Sequence, residues 1–444
     1  MRSRESIRKN IVFLIFIFFI LLPGEGILRK WLLKDLEKPL LLIRDPVALL
    51  IYIQYLRFIG GNIKLWLKLW AIGLLFLAGF GLAQAFVLDL PLPVILLGLR
   101  AYAFFIPLCF IAGETVTLRD FYKFVRVVLI LAIPTAILVF LQFRSPVAAE
   151  INRGLSDEVE GRFTVIQGIV RPYGPFTFVQ AQVTFGVLAL AALIIAWTNH
   201  HKYKFGRVFL IISSTAVATM GALSGSRTFF GSAVVLILAY LTATVFTGRS
   251  QATIKILLTA TLFIGFFILV FTVIFPDSFA AMTERQTEAE YTEGSTIGRY
   301  FGGLLEAFDA LGTAPLMGQG LGVGSNGGAF VLTGAVEFLV AENEWPRIIL
   351  ELGPLAGPLV IGIRLVFVGW LGLAAIRAVL RKGDPTAMIL FGFSGLLLFS
   401  GQISSQNQLM SFAWLSAGLT LAAAKLGSEE IPPDIAWRPL RLRI

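Results

Sequence analysis

Cysteine is almost missing from this chain. Cys109 is the only one, and it lies inside an apolar run, which excludes an intrachain disulfide and argues against a cysteine metal site. Histidine is nearly as scarce: His200 and His201 stand together beside Lys202 and Lys204, in a basic loop whose simplest role is to orient the chain in a membrane. Charge is thin as well. Only 14% of the 444 residues are Asp, Glu, Lys or Arg, against 57% hydrophobic residues, and mean hydropathy is +0.83. A soluble globule carries nearer a quarter charged residues, so that class is excluded.

What is present is a succession of apolar runs of roughly 20 residues, the length that crosses a hydrocarbon core of about 30 Å. The expected spans are a retained first helix over 11–22, then 46–59, 65–86, 92–112, 121–140, 178–197, 208–223, 229–246, 254–275, 354–376, 387–401 and 409–424. The expectation is therefore one all-α integral membrane domain over 1–444 with about twelve transmembrane helices. From a cytoplasmic N-terminus, every loop expected inside is basic: Arg119, Lys123 and Arg126; Lys202, Lys204 and Arg207; Arg249 and Lys255; Arg377, Arg381 and Lys382; and the tail Arg438, Arg441 and Arg443. The segment 28–44 breaks that rule. Arg29, Lys30, Lys34, Lys38 and Arg44 alternate there with Trp31, Leu32, Leu33 and Leu36, a pattern that suits a helix lying on the outer membrane face.

Two longer loops then face outward, 141–177 and 276–353. The second holds eleven acidic residues but only Arg285, Arg299 and Arg347 as bases, although the chain carries a net charge of +10. With no histidine outside, general-base work there falls to a carboxylate. Glu342 and Glu344, ahead of Pro346, read either as capping carboxylates at a helix start or as a catalytic acid or base. Arg100 and Arg364 fall inside expected spans, where an arginine costs roughly 2.5–3.5 kcal/mol on insertion scales. Such residues face either a buried ion pair or a cavity. Arg171, Arg227 and Arg299 fall at the outer membrane face, and guanidinium forks match phosphate oxygens bidentately. The run Gly318, Gly320, Gly322, Gly324 could bring backbone N–H groups to an anion, although no strand precedes it and a dinucleotide fingerprint is rejected.

Taken in order, Ser226-Arg227 heading a membrane helix, Gly298-Arg299 before a helical turn, Pro315-Leu316-x-Gly318-x-Gly320, and Glu342-Asn343 leading to Glu351-x-Gly353-x-x-x-Gly357 resemble the O-antigen ligase and polymerase superfamily. The resemblance implies a GT-C-like helical membrane fold with a long, partly helical periplasmic loop. It also implies a metal-independent glycosyltransferase, needing no cofactor, in the bacterial inner membrane with both termini cytoplasmic. The implied partners are an undecaprenyl-diphosphate-linked glycan donor, a glycan or lipid A core acceptor and membrane lipid, with no nucleic acid. On that likeness Arg227 and Arg299 hold the diphosphate and Glu342 takes the acceptor proton, with Arg171, Arg100, Arg364, Asn343 and Arg347 as further substrate-binding candidates. The ligases carry histidine at the position of Glu342, a departure that favours a polymerase or a divergent ligase. A secondary transporter for an anion such as bicarbonate, or a scaffold in an export complex, are the rival classes.

Overall fold

The computed structural model describes residues 4–155, 164–165, 169–200, 203–247, 272–273, 276, 296–334 and 338–426. Its helices are α1 (Arg4–Ile27), α2 (Asp45–Ile59), α3 (Leu65–Leu88), α4 (Leu92–Leu99), α5 (Ile106–Thr115), α6 (Leu118–Arg144), α7 (Val179–Thr198), α8 (Arg207–Leu223) and α9 (Arg227–Phe246). There follow α10 (Thr296–Thr313), α11 (Asn326–Thr333), α12 (Glu344–Lys382), α13 (Thr386–Ser400) and α14 (Asn407–Leu426). Short π and 3-10 turns join some of them, and two-residue strands Thr164–Val165 and Ile169–Val170 pair as an antiparallel ribbon.

Eight helices among the described residues are long and apolar enough to cross a membrane: Arg4–Leu32, Pro39–Ile59, Leu65–Leu88, Leu92–Thr115, Leu118–Arg144, Val179–Thr198, Arg227–Phe246 and Glu344–Lys382. α8 and α13 are apolar but shorter, and the run 409–424 falls on α14. The expected span 254–275, the acidic cluster from Glu284 to Glu293, His201 and the basic tail lie outside the described residues. The loop boundaries move. α6 continues to Arg144, and the helix expected from 354 starts ten residues earlier, at Glu344, inside the expected loop.

α14 is the axis of the bundle. Leu409, Met410, Phe412, Ala413, Leu415, Ala417 and Leu419 are all buried, and the hydroxyls of Ser411, Ser416 and Thr420 turn back onto carbonyls of their own helix. A helix buried all round must be packed on every side, and α5, α6, α7, α12 and α13 pack around it. At the end where α1 begins, Arg8 ties Asp120 at 2.8 Å and the Thr115 carbonyl at 3.0 Å, while Thr117 and Asp120 form a capping box at the start of α6.

Two proline-driven breaks shape the interior. Pro107 cannot donate to the Ala103 carbonyl one turn back, so the span Leu92–Thr115 opens into a π turn at Arg100–Phe104. The freed carbonyls are taken by neighbours: Trp70 Nε1 donates to Ala103 at 2.9 Å and the Tyr52 hydroxyl to Phe104 at 2.7 Å. Pro354 does the same to α12. Gly353 takes φ 75°, ψ 174°, and the released Leu350 and Glu351 carbonyls accept from Gln319 N at 2.7 Å and Gly320 N at 3.2 Å.

The segment 28–44 is corrected. It forms a π turn, Leu28–Leu32, and two 3-10 turns, Lys34–Leu36 and Pro39–Leu42, rather than one surface helix. Pro39 interrupts it, and Arg29, Lys30 and Arg44 turn inward because Glu25, carbonyl oxygens and aromatic faces await them. Lys34 stays out and pairs with Glu150 at 2.6 Å.

Candidate functional site

The end of the bundle where α1 finishes collects the buried charge. Glu25, in the last turn of α1, accepts from Arg29 Nη1 at 2.8 Å and lies against Arg44 Nε at 3.0 Å and Nη2 at 2.9 Å. Arg44 also donates to the Asn407 carbonyl at 3.2 Å and to the Ser411 hydroxyl. Beside it, Arg100 forks onto Asp45, Nε to Oδ2 at 2.5 Å and Nη2 to Oδ1 at 2.7 Å, and reaches the Asn407 side chain. Lys30 is fully buried, donates to the Gly174 carbonyl at 2.8 Å and the Phe176 carbonyl at 2.6 Å, and stands over the rings of Trp31 and Tyr173. Burial pushes the Tyr173 phenol upward, so the ring stays neutral beneath the Lys30 side chain. Three guanidinium groups (Arg29, Arg44, Arg100) thus face two carboxylates (Glu25, Asp45), with Lys30 held beside them by carbonyl oxygens. Out of water such an excess draws anions to the surface above it.

A second cluster is balanced. Glu344, the first residue of α12, accepts from Arg364 Nη1 at 2.5 Å, from Arg347, and from the amide and hydroxyl of Ser404 at 3.1 Å. Arg364 also binds the Leu398 carbonyl at 2.6 Å and lies over the Trp345 ring at 4.8 Å. Two turns along α12, Glu351 accepts from Gly324 N at 2.6 Å and from the Tyr102 hydroxyl at 2.7 Å. The glycine run is therefore corrected too. Its amides are engaged by Leu350, Glu351, Gln84 and the run's own carbonyls, so the anion it cradles is the chain's own Glu351.

The arginines sort accordingly. Arg100, Arg347 and Arg364 sit in internal ion pairs, the first of the two readings that the sequence leaves open for Arg100 and Arg364. Arg227 opens α9 at the same end, half-buried behind the Ser224-Gly225-Ser226 turn, and Arg171 precedes the buried turn 172–177. Arg299 stands on α10, four residues before Gly303. Asn343 occupies the N-cap position of α12 and donates to Glu306 at 2.6 Å rather than capping. Glu342 is exposed, and its carbonyl accepts from Gln402 at 3.0 Å and Arg347 at 3.5 Å.

One element goes unnoticed in the sequence: the polar stretch 401–408, which joins α13 to α14 and forms the first residues of α14. Gln402 holds the Glu342 carbonyl, Ser404 holds Glu344, the Ser405 carbonyl holds Asn326 N at 3.2 Å, Asn407 holds Arg100 and Arg44, and Gln408 receives the Thr177 hydroxyl at 3.0 Å. Six polar residues in the seven from Gln402 to Gln408, between two apolar runs, were the available signal. Among the described residues no group of three His, Cys, Asp or Glu side chains is placed to hold a metal ion. Comparison with protein-family models, curated proteins and solved structures finds no match to this chain.

Proposed function

We propose that this protein transfers or polymerises a glycan from an undecaprenyl-diphosphate-linked donor onto an acceptor hydroxyl, of lipid A core or of another glycan chain, at the outer face of a bacterial inner membrane. The observation that carries the reading is the excess of buried cations at one end of an apolar bundle, the end at which Arg227 also stands. A cation in the first turn of a helix opposes the macrodipole, a local cost that an anionic ligand at that point would reverse. The order of the motifs around Arg227, Arg299 and Glu342 is the second support.

In this mechanism the acceptor oxygen attacks the anomeric carbon of the donor sugar. The bond from that carbon to the diphosphate oxygen breaks, and the electron pair leaves on the lipid diphosphate. Arg227 and Arg299 stabilise the developing charge, with Arg171 in support, while Glu342 takes the hydroxyl proton and Asn343 helps seat the acceptor. Because Glu342 is exposed, the acceptor itself must cover it and exclude water. Arg100, Arg347 and Arg364 serve by holding the frame, since their donors are already engaged.

Transfer measured with purified protein and a lipid-linked donor tests the roles separately. Arg227→Ala and Arg299→Ala are expected to slow transfer about 10²–10³-fold, the usual loss for a donor to developing charge. Arg299→Lys should recover little, because it keeps the charge without the fork; full recovery by lysine would rule out bidentate binding. Glu342→Gln is expected to lose about 10²–10⁴-fold in turnover while still binding donor. Normal turnover by that variant would sink the base assignment. The π turn at Arg100–Phe104 and the break at Gly353 give the transporter reading its own support, since carriers use discontinuous helices. Uptake of labelled bicarbonate into proteoliposomes, without donor consumption, would favour it.

A further inference from the structure

α10 carries a surface that nothing in the bundle explains. One side, Gly303, Ala307 and Ala310, is small and packs on α12 around Trp345, Ile348, Ile349 and Leu352. A second side is polar and exposed: Glu306, Asp309 and Thr313. The third presents Leu305, 68% exposed, and Phe308, 70% exposed, one helical turn apart, followed just past the helix by Leu316 at 67%. Large apolar side chains in contiguous array on an exposed face mark a contact surface rather than chance exposure. A helix with separate apolar and acidic sectors is the form that lies at a membrane interface.

Its position identifies the partner. Directly after α10, Met317 is held by Gln84 Nε2 at 2.5 Å, near the end of α3, and Gln319 is held by Leu350 at the α12 break. On the α3 side the exposed residues are Leu82, Phe86 and Val87, and below the break on α12 they are Leu355, Leu359, Ile363 and Val366 at one-turn spacings. Both helices are of membrane-spanning length and composition, and these are the side chains they offer to lipid. The apolar side of α10 continues that surface at its rim.

We propose that α10 lies in the headgroup–acyl boundary of the bilayer, with Leu305, Phe308 and Leu316 in lipid and Glu306 and Asp309 in water. This holds whatever reaction the protein catalyses. It replaces the picture of an aqueous loop and keeps Arg299, on the same helix, at the depth of lipid phosphates.

Site-directed spin labelling of the protein in phospholipid bilayers tests it. The native Cys109 is fully buried, so single cysteines can be labelled at L305C, F308C, L316C, E306C and D309C, all exposed positions. The expected result is that nitroxides at 305, 308 and 316 collide with oxygen and are shielded from an aqueous nickel chelate, at a depth of roughly 5–10 Å. Labels at 306 and 309 should show the reverse. Equal nickel access at 305, 308 and 309 would put the helix in water and overturn the proposal. So would immobile labels at 305 and 308 shielded from both colliders, which would mean that a second copy, or residues 277–295 of this chain, cover the face.

Discussion

Replacing Glu344 by glutamine is expected to destabilise the protein by about 3–5 kcal/mol, the cost of removing one partner from a buried ion pair. Glu344 is the only carboxylate in direct contact with Arg347 and Arg364 among the described residues, and all three are buried. Glutamine keeps the shape but not the charge, so Arg364 is left in an apolar bundle without a counter-ion and Arg347 keeps only the more distant Glu351. The amide nitrogen would face a donor whichever way it turned, Arg347 Nη2 at the Oε2 position or Arg364 Nη1 and Ser404 N at the Oε1 position, so at least one hydrogen bond is lost outright. Thermal unfolding in nanodiscs measures the effect. Two comparisons separate this cause from general damage. Glu342→Gln, two residues away and exposed, should shift stability by no more than about 0.5 kcal/mol. The double variant Glu344→Gln with Arg364→Met should recover part of the loss, because it removes one of the stranded charges. A Glu344→Gln protein as stable as the parent would mean that water reaches this cluster.

Gly318→Ala is the second large effect. Gly318 has φ +69°, and an added Cβ would lie 2.3 Å from the Glu351 carbonyl oxygen and 2.6 Å from Gly353 N. Left-handed backbone costs an alanine about 1–2 kcal/mol. The clash is with main chain and cannot be relieved by turning a side chain. Moving the loop away would unpair the Leu350 carbonyl freed by Pro354, at about 1–3 kcal/mol for a buried group left unsatisfied, and leave the Glu351 carbonyl with Gln84 Nε2 alone. Unfolding should therefore fall by several kcal/mol in free energy, or the kink should straighten. Gly302→Ala and Gly312→Ala are the controls. Both lie on α10, where an added Cβ meets nothing within 4 Å, and alanine there should stabilise by about 0.5–1 kcal/mol. If all three behaved alike, the clamp on the α12 break would be the wrong picture.

Much of the helical layout was legible in the sequence because a membrane imposes one length on every run that crosses it. The charges were legible as types but not as partners. Arg100 and Arg364 could be recognised as buried, yet Asp45 lies 55 positions from one and Glu344 20 from the other, and no local pattern joins them. Arg29 and Arg44 alternate with apolar residues as a surface helix does; only the fold brings both to Glu25. The glycine run shows in the sequence as a place where backbone N–H groups converge, but not what they meet. That the anion is Glu351, 27 residues on, follows from where Pro354 breaks α12. The connector 401–408 was missed because a short polar stretch between two apolar helices reads as any other turn. What raises it above one is the number of distant carbonyls and guanidiniums that it meets.

That connector and the helix after it also set a timetable. α14 emerges from the ribosome after every other described helix, yet Arg44 and Arg100 from the first quarter of the chain find Asn407 and Ser411 only there, and Gln408 reaches back to the Leu22 carbonyl at 3.1 Å. Until α14 inserts, the early helices sit in the bilayer with polar groups unmatched and no central strut. The polar end of the molecule closes only once α14 is in place. A chain cut short before 407 would keep the ion pairs of Glu25 and Asp45 but lose the neutral partners, Asn407 and Ser411, that tie them to the central helix.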